Sequence, residues 1–456
     1  MNSKFLLILI CLLFLFTRLY KISEIPMSVY WDEASIGYNA FSIAKDGKDE
    51  WGEFFPLHFR AFGEFKLPVY IYTSAIFVKL FGLNEFSVRI SAVLFSLGVV
   101  ILTYFLAKKL SGSIQIGLWS IFFITISPWF FIFSRTGFEV TAGLMFYLLG
   151  IYLLLSLTRN YFIFLGTVSF VLSAYSYNSF RIIGPLTIFL LLVLQLKNVK
   201  KEMIKWLIIS GLVLSLSIIP IYRLYVFDAG ISRLQSVGSS TGVSIIKNYF
   251  SHFDPRFLFI QGDKNLRHQQ FGFGQLYLPE AILLVMGFIY ILKSKIKYKW
   301  LPLIFIFLAP IPAAITKESP HALRAIATVP FISIMSAMGV VGFGLWVKKK
   351  RIINISIMVI FLCFFINYYL NFLNTYPTQS VKDWQYGYKK IFTESENQVE
   401  KEDKILIPDH DGQPYIFALF YLKYDPVKFR KEVIRNSVDK WGFSTVKSFG
   451  KFEFGE

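Results

Sequence analysis

Long apolar runs separated by short polar turns set the rhythm of this chain, with three longer polar stretches among them. A bilayer core takes about 20 apolar residues per helix, fewer at the short end of the range. By that measure about eleven membrane spans are expected, near residues 4–20, 89–107, 114–133, 139–157, 161–178, 182–196, 206–224, 277–292, 300–316, 324–347 and 352–371. The run 67–82 is also apolar, but it opens at a proline and carries Lys79, so it reads as a helix lying at the interface instead of crossing. The N-terminal run has the lysine and apolar core of a signal peptide. No small-residue cleavage site follows, and Arg18 comes directly after the core, so an uncleaved first span is expected.

The polar stretches run from about 21 to 88, from about 225 to 276, and from about 373 to 456. In the last, "DKILIPD" has the pattern of a short buried strand, and "QPYIFALFYLKYDP" that of an aromatic-rich helix stopped by Asp425 and Pro426. The expected architecture is therefore an all-α polytopic membrane domain over residues 1–372, followed by a small extracytoplasmic α/β domain over 373–456.

Composition agrees. Of 456 residues, 55% are hydrophobic, 18% aromatic and 17% charged, against roughly 25% charged in a soluble domain. The net charge of +18 could suggest nucleic acid, but Lys and Arg fall in short clusters between apolar runs and form no single basic face. With the N-terminus inside, the inner turns hold Lys4, Lys108 and Lys109, Arg159, "KNVKKEMIK", "KSKIKYK" and "KKKR", with Glu202 the one acid among them. This is the positive-inside pattern of a multi-pass cell-membrane protein. Nearly all Asp, Glu and His fall on the outer segments, which is where chemistry is expected. Cys11 and Cys363 sit inside apolar runs and imply neither a disulfide framework nor a metal site.

The first outer stretch opens with "VYWDEASIGYNAFSIAKDG". Asp32 suits a helix N-cap, with Gly47 as the stop. It suits equally a partly desolvated base that takes a proton from a hydroxyl, with Glu33 beside it and Tyr30, Trp31 and Tyr38 offering surfaces on which a sugar stacks. Arg60 and Lys66 precede the interfacial segment, where they could snorkel to headgroups or bind a lipid-linked phosphate. Arg135 and Glu139, four apart in a short apolar turn, form either a helix-end ion pair or a functional charge. Tyr177 and Arg181 share a later outer turn. The long loop contributes Arg267 and His268, and "TKESPHALRA" contributes His321 and Arg324. His252, Asp254, Asp263 and His268 raise the question of a metal; none pair at the i,i+4 spacing of a helical zinc motif, so no metal site is assigned, although a carboxylate-rich site could hold a divalent ion.

Taken in order, an Asp-Glu pair after the first span, "KLP" before an interfacial helix, an arginine in the second outer turn and about eleven spans resemble the GT-C glycosyltransferases. More narrowly, they resemble the protein O-mannosyltransferase and lipid A aminoarabinose-transferase branch. The resemblance covers roughly residues 1–370 and is sharpest over 29–140. It implies that Asp32 is the catalytic base, with Glu33 its partner and Glu139 a second acid. It also implies that Lys66 is the lysine of a Lys-Pro-Pro motif handling the carrier phosphate, although Leu67 stands where that pattern has its first proline. The tail does not match the β-trefoil of the eukaryotic mannosyltransferases.

The expected reaction is inverting single displacement from a polyprenyl-phosphate sugar to a hydroxyl on a protein, lipid or glycan. Substrate contacts are expected from Lys66, Arg60, Arg135, Tyr177, Arg181, Arg267, His268, His321 and Arg324. Such a route requires no cofactor, because the departing phosphate is already a stable anion. A flippase for lipid-linked sugars and a polysaccharide polymerase or ligase are the competing readings.

Overall fold

The computed structural model describes residues 2–195, 200–226, 238, 242–346, 349–394, 403–409, 412–439 and 443–455. Residues 227–237 and 239–241 of the long loop, residues 196 and 347 at the ends of two expected spans, and parts of "KNVKKEMIK" and "KKKR" lie outside the described residues. The first half runs α1 (Ser3–Leu19), α2 (Trp31–Asp46), β1 (Phe59–Ala61), β2 (Glu64–Lys66), α3 (Pro68–Phe81), α4 (Glu85–Ser111), α5 (Ile114–Ile126), α6 (Pro128–Phe131), α7 (Val140–Ser156), α8 (Phe162–Ala174), α9 (Ser179–Gln195) and α10 (Lys201–Val226). The second runs α11 (Gly242–Ser251), α12 (Glu280–Lys293), α13 (Leu301–Leu308), α14 (Ile311–Ala314), α15 (Val329–Trp346), α16 (Lys350–Asn374), α17 (Tyr376–Gln379) and α18 (Tyr386–Thr393). It closes with β3 (Ile405–Ile407), α19 (Pro414–Tyr421), α20 (Pro426–Glu432), β4 (Ile434–Arg435), β5 (Val446–Phe449) and β6 (Phe452–Phe454).

Among the described residues, four helices are long and apolar enough to cross a membrane: Glu85–Ser111, Lys201–Val226, Ile326–Leu345 and Lys350–Asn374. The runs expected to span at 114–133 and 161–178 contain helices of 13 residues each, α5 and α8. Hydropathy follows the apolar run and does not see the backbone break: Pro128, lacking an N–H, starts a new short helix within the first of these runs. Where helices approach most closely, glycine is required. A Cβ on Gly339 of α15 would lie 2.0 Å from the Leu283 carbonyl oxygen of α12, and one on Gly287 would lie 2.3 Å from that of Met335. Small residues at such crossings let backbones touch.

The run 67–82 forms the helix α3, which buries one face and exposes the other. Tyr70, Ile71, Ser74, Ala75 and Val78 are buried, while Ile76, Leu80 and Phe81 are exposed. Its inner face joins α2 and the tail in one hydrophobic cluster that includes Ile36, Tyr38, Phe59, Ile416, Phe417 and Phe429. The tail's strands pair in the order β3-β6-β5-β4, with β3 parallel to β6 and the other pairs antiparallel. The helix foreseen up to Asp425 and Pro426 ends earlier, at Tyr421, and a second helix, α20, begins at Pro426. The chain turns at Lys423, whose φ of 49° is left-handed, and Asp425 caps α20 by accepting from the Val427 and Lys428 N–H groups. Ion pairs Lys45–Asp425 and Arg430–Asp46 tie α20 back to α2. The tail thus shares its core with the first polar stretch.

Glu50 is buried in that shared core, accepting from Tyr415 Oη at 2.9 Å and Asn39 Nδ2 at 3.4 Å. Burial, the largest influence, pushes its carboxyl up to about 7 against the pull of Arg435. The unfolded chain releases this proton near the ordinary glutamate value, so the folded chain binds one proton more between that value and about 7. The resulting stability is full below the window and is lost as pH rises through it. Melting temperatures of the detergent-solubilised protein should therefore fall from about pH 5 to about pH 8 relative to those of Glu50→Gln. Parallel curves for the two proteins would contradict this assignment.

Candidate active site

The site begins with the segment between α1 and α2. Helix α2 starts two residues earlier than the capping reading places it: Tyr30 is the N-cap and Trp31 the first helical residue. The reason is Glu33, which reaches back to accept from the Tyr30 N–H at 3.3 Å and so performs the capping expected of Asp32. Asp32 lies in the first turn with its side chain partly exposed, turned towards Lys66.

Glu33 itself is buried at 3% exposure. It accepts from Arg89 Nε at 3.1 Å and Nη2 at 3.2 Å, and from the Gly137 N–H at 2.6 Å. Arg89 spends its other hydrogens on the carbonyls of Ile22, Pro26 and Ser28. Glu33 is therefore a positioning group beneath the site and does not line the cavity. Arg135 does likewise, donating to the carbonyls of Thr17, Tyr20, Lys21 and Ile25. It closes the end of α1, where a cation meets the orphan carbonyls and negative end of the helix. It pairs with no carboxylate among the described residues, so the ion pair with Glu139 is not formed.

The hairpin of β1 and β2, in register Phe59↔Lys66 to Ala61↔Glu64, carries Lys66 into the space behind Asp32. Lys66 Nζ lies 2.6 Å from Asp32 Oδ1 and 2.6 Å from Glu64 Oε1, and its side chain is 4% exposed. Burial works against the ammonium, but the charges of Asp32 and Glu139 outweigh it and raise its pKa. Glu139, at the start of α7, is half-buried, and its Oε1 has no hydrogen-bond partner among the described residues. One ammonium thus serves three carboxylates.

Asp32 faces a cavity of about 320 Å³ whose walls also include Trp31, Glu64, Tyr177, Arg267, His268, His321 and Arg324. Arg267 lies 3.6 Å above the Tyr30 ring centroid, with Nε donating to Asn265 Oδ1 at 3.1 Å. Arg324 donates to Thr316 Oγ1 at 2.7 Å. His268 is held at Nδ1 by Asp263 Oδ2, 2.8 Å away. A larger cleft of about 990 Å³ shares Tyr30, Trp31, Asn265 and Arg267 with the cavity and extends along the tail past Tyr386 and Gln413.

Of the residues expected at the site, the structure therefore brings together Asp32, Lys66, Glu139, Tyr177, Arg267, His268, His321 and Arg324. Arg60 is elsewhere, stacked on Trp51 at 4.8 Å and 4.0 Å from Glu53. Arg181 donates to the Ala174 carbonyl and to Tyr225 Oη, away from the cavity lining. Arg89 is the partner that sequence reasoning missed, while Asp263, singled out there for a possible metal, is found holding His268. Arg89 left a trace, since a charge at the start of an apolar span demands a buried partner.

Residues 66–222 match the family described as dolichyl-phosphate-mannose-protein mannosyltransferase. The fold superposes on crystal structures of ArnT from Cupriavidus metallidurans, in the apo state with a TM-score of 0.59 at 11% identity over 91% of this chain and 84% of that one. Bound to undecaprenyl phosphate, ArnT gives 0.56 at 10% identity over 92% and 84%. The chain thus has the fold of ArnT, and a third of it resembles the mannosyltransferase family. The fold also matches the Archaeoglobus fulgidus oligosaccharyltransferase, in complex with Zn and sulfate, with a TM-score of 0.53 at 11% identity over 91% of this chain but 61% of that one. No curated protein matches in sequence.

If the Arg89–Glu33 pair positions Asp32, removing the cation alone is the damaging change, because it strands a buried carboxylate at a cost of about 3–5 kcal/mol. Arg89→Met should lose most of its monodisperse peak on size exclusion, and adding Glu33→Gln should recover part of it. An Arg89→Met protein that melts like wild type would refute the pairing.

Proposed function

We propose that this protein transfers a glycosyl group from a polyprenyl-phosphate-linked sugar to a hydroxyl acceptor, by inverting single displacement with Asp32 as base. The observation that carries the reading is the arrangement around one cavity: a partly exposed carboxylate on one wall, and Arg267, His268 and Arg324 on the others. In this mechanism Asp32 takes the acceptor's hydroxyl proton. The acceptor oxygen bonds to the anomeric carbon as the bond from that carbon to the phosphate oxygen breaks on the opposite face. The electron pair leaves with the phosphate, and the cationic side chains stabilise the charge it gains. Lys66 does not silence Asp32 as a base, since its single charge is shared with Glu64 and Glu139.

The family description names a dolichyl-phosphate sugar, and the ArnT match includes a complex with undecaprenyl phosphate; both support a polyprenyl-phosphate donor here. The long loop supplies Arg267 and His268 to the cavity that Asp32 lines, which supports one transfer site drawing on both polar stretches. The full topology belongs to the same reading: about eleven spans, the N-terminus cytoplasmic, and the cavity and tail on the extracytoplasmic face, as the basic turns at the opposite ends of the helices favour.

In proteoliposomes supplied with radiolabelled polyprenyl-phosphate sugar and a hydroxyl acceptor, Asp32→Asn should lower transfer by about 10²- to 10⁴-fold while eluting and melting as wild type. Near-normal transfer by that variant would overturn the mechanism. Movement of the labelled lipid across the bilayer without any acceptor would replace it with a flippase.

A further inference from the structure

Behind the wall opposite Asp32, two polar segments far apart in sequence bring metal-ligating side chains together. Asp263 and His268 come from the long loop, and His321 from the turn before α15. One ligand atom from each lies within 4.8 Å of the others, and the residues are 9%, 4% and 7% exposed respectively. We propose that Asp263, His268 and His321 form a binding site for a divalent transition-metal ion of the zinc class.

The donor set decides the class of ion. Two imidazoles and one carboxylate suit zinc and its neighbours, whereas calcium and magnesium favour oxygen ligands throughout. Three protein ligands leave a fourth tetrahedral position open. His268 and His321 line the 320 Å³ cavity that Asp32 faces, and all three residues line a second cleft of about 680 Å³. The ion would thus sit in the partition between the two, with its open position available to an oxygen ligand from either side.

The surrounding contacts are those that orient metal ligands. Asp263 Oδ2 accepts from the Ala322 N–H at 2.8 Å, tying the carboxylate to the segment that carries His321. His252 Nε2 accepts from the His321 N–H at 3.1 Å, while its Nδ1 pairs with the Asn248 carbonyl at 2.9 Å. Asp263 Oδ2 and His268 Nδ1 are already 2.8 Å apart through a hydrogen bond. Zinc ligands stand roughly 3.4 Å from one another, given bonds of about 2.0–2.1 Å. Binding therefore moves the His268 ring proton from Nδ1 to Nε2, parts this pair slightly and draws His321 inward.

The proposal does not depend on glycosyl transfer and can be tested without it. Full-length protein purified in detergent, stripped with EDTA and dialysed, is titrated with zinc chloride by calorimetry, and its metal content after desalting is measured by mass spectrometry. Wild type and Asp32→Asn should each bind one zinc per chain and melt at a higher temperature with it. Asp263→Asn and His321→Gln, each eluting as a folded monodisperse species, should bind none and gain no stability. Wild type holding less than a tenth of an equivalent would overturn the site. So would zinc retained by His321→Gln, or zinc lost by Asp32→Asn, which would move the metal to the carboxylates around Lys66.

Discussion

Everything at the polar end of this protein depends on how the eleven residues between α1 and α2 are held. They form no regular structure of their own, and their carbonyls need partners in a place that water reaches poorly. Two buried guanidiniums supply them: Arg135 closes the end of α1, and Arg89 collects the carbonyls of Ile22, Pro26 and Ser28 together with the carboxylate of Glu33. Both arginines belong to the helical bundle side of the structure, so the segment is referenced to the bundle itself. The start of α2, and with it Asp32, inherits that rigidity.

The division of labour between the adjacent acids follows. Glu33 is spent on structure, its charge cancelled in place by Arg89. Asp32, one position along the same helical turn, points the other way into shared charge: a buried lysine that serves three carboxylates cannot neutralise any one of them fully. A carboxylate partly exposed to a cavity that Arg267 and Arg324 also line is what the proposed proton removal and phosphate departure require together. The tail contributes by packing. Its aromatic helix α19 buries Phe417 and Phe420 in the cluster that holds α2, and a Cβ on Gly37 would collide with Phe420 at 2.6 Å. Gln385 also accepts from the Trp31 N–H at 3.2 Å, so the tail touches the very turn that carries Asp32.

Much of this was legible in the sequence, and the parts that were not share a physical cause. Apolar runs located the helices, the proline at 68 marked the start of α3, and Gly47 marked the end of α2, where its φ of 76° is observed. Asp32 and Lys66 were singled out from residue type and position. Helix lengths within apolar runs were not legible, because a turn such as Ser127-Pro128 is bounded by residues as apolar as the helix itself. Nor were the partners. Arg89 to Glu33 spans 56 positions and Asp263 to His321 spans 58, and no local spacing rule reaches across such distances. Arg135 with Glu139 was the opposite case: adjacent on a pattern, yet each was claimed by a nearer need, Arg135 by the carbonyls of α1 and Glu139 by the surroundings of Lys66.

The account stands most directly on where the lipid phosphate goes. A cryo-electron microscopy structure of the protein with undecaprenyl phosphate in nanodiscs should place the phosphate in the cavity between Asp32 and Arg267, within about 4 Å of the Arg267 or Arg324 guanidinium. The polyprenyl ester oxygen should point away from the Asp32 carboxylate, leaving a non-bridging oxygen on the side where the sugar would be joined. A phosphate resolved at the other end of the helices, or against Arg60 or Arg181, would contradict it.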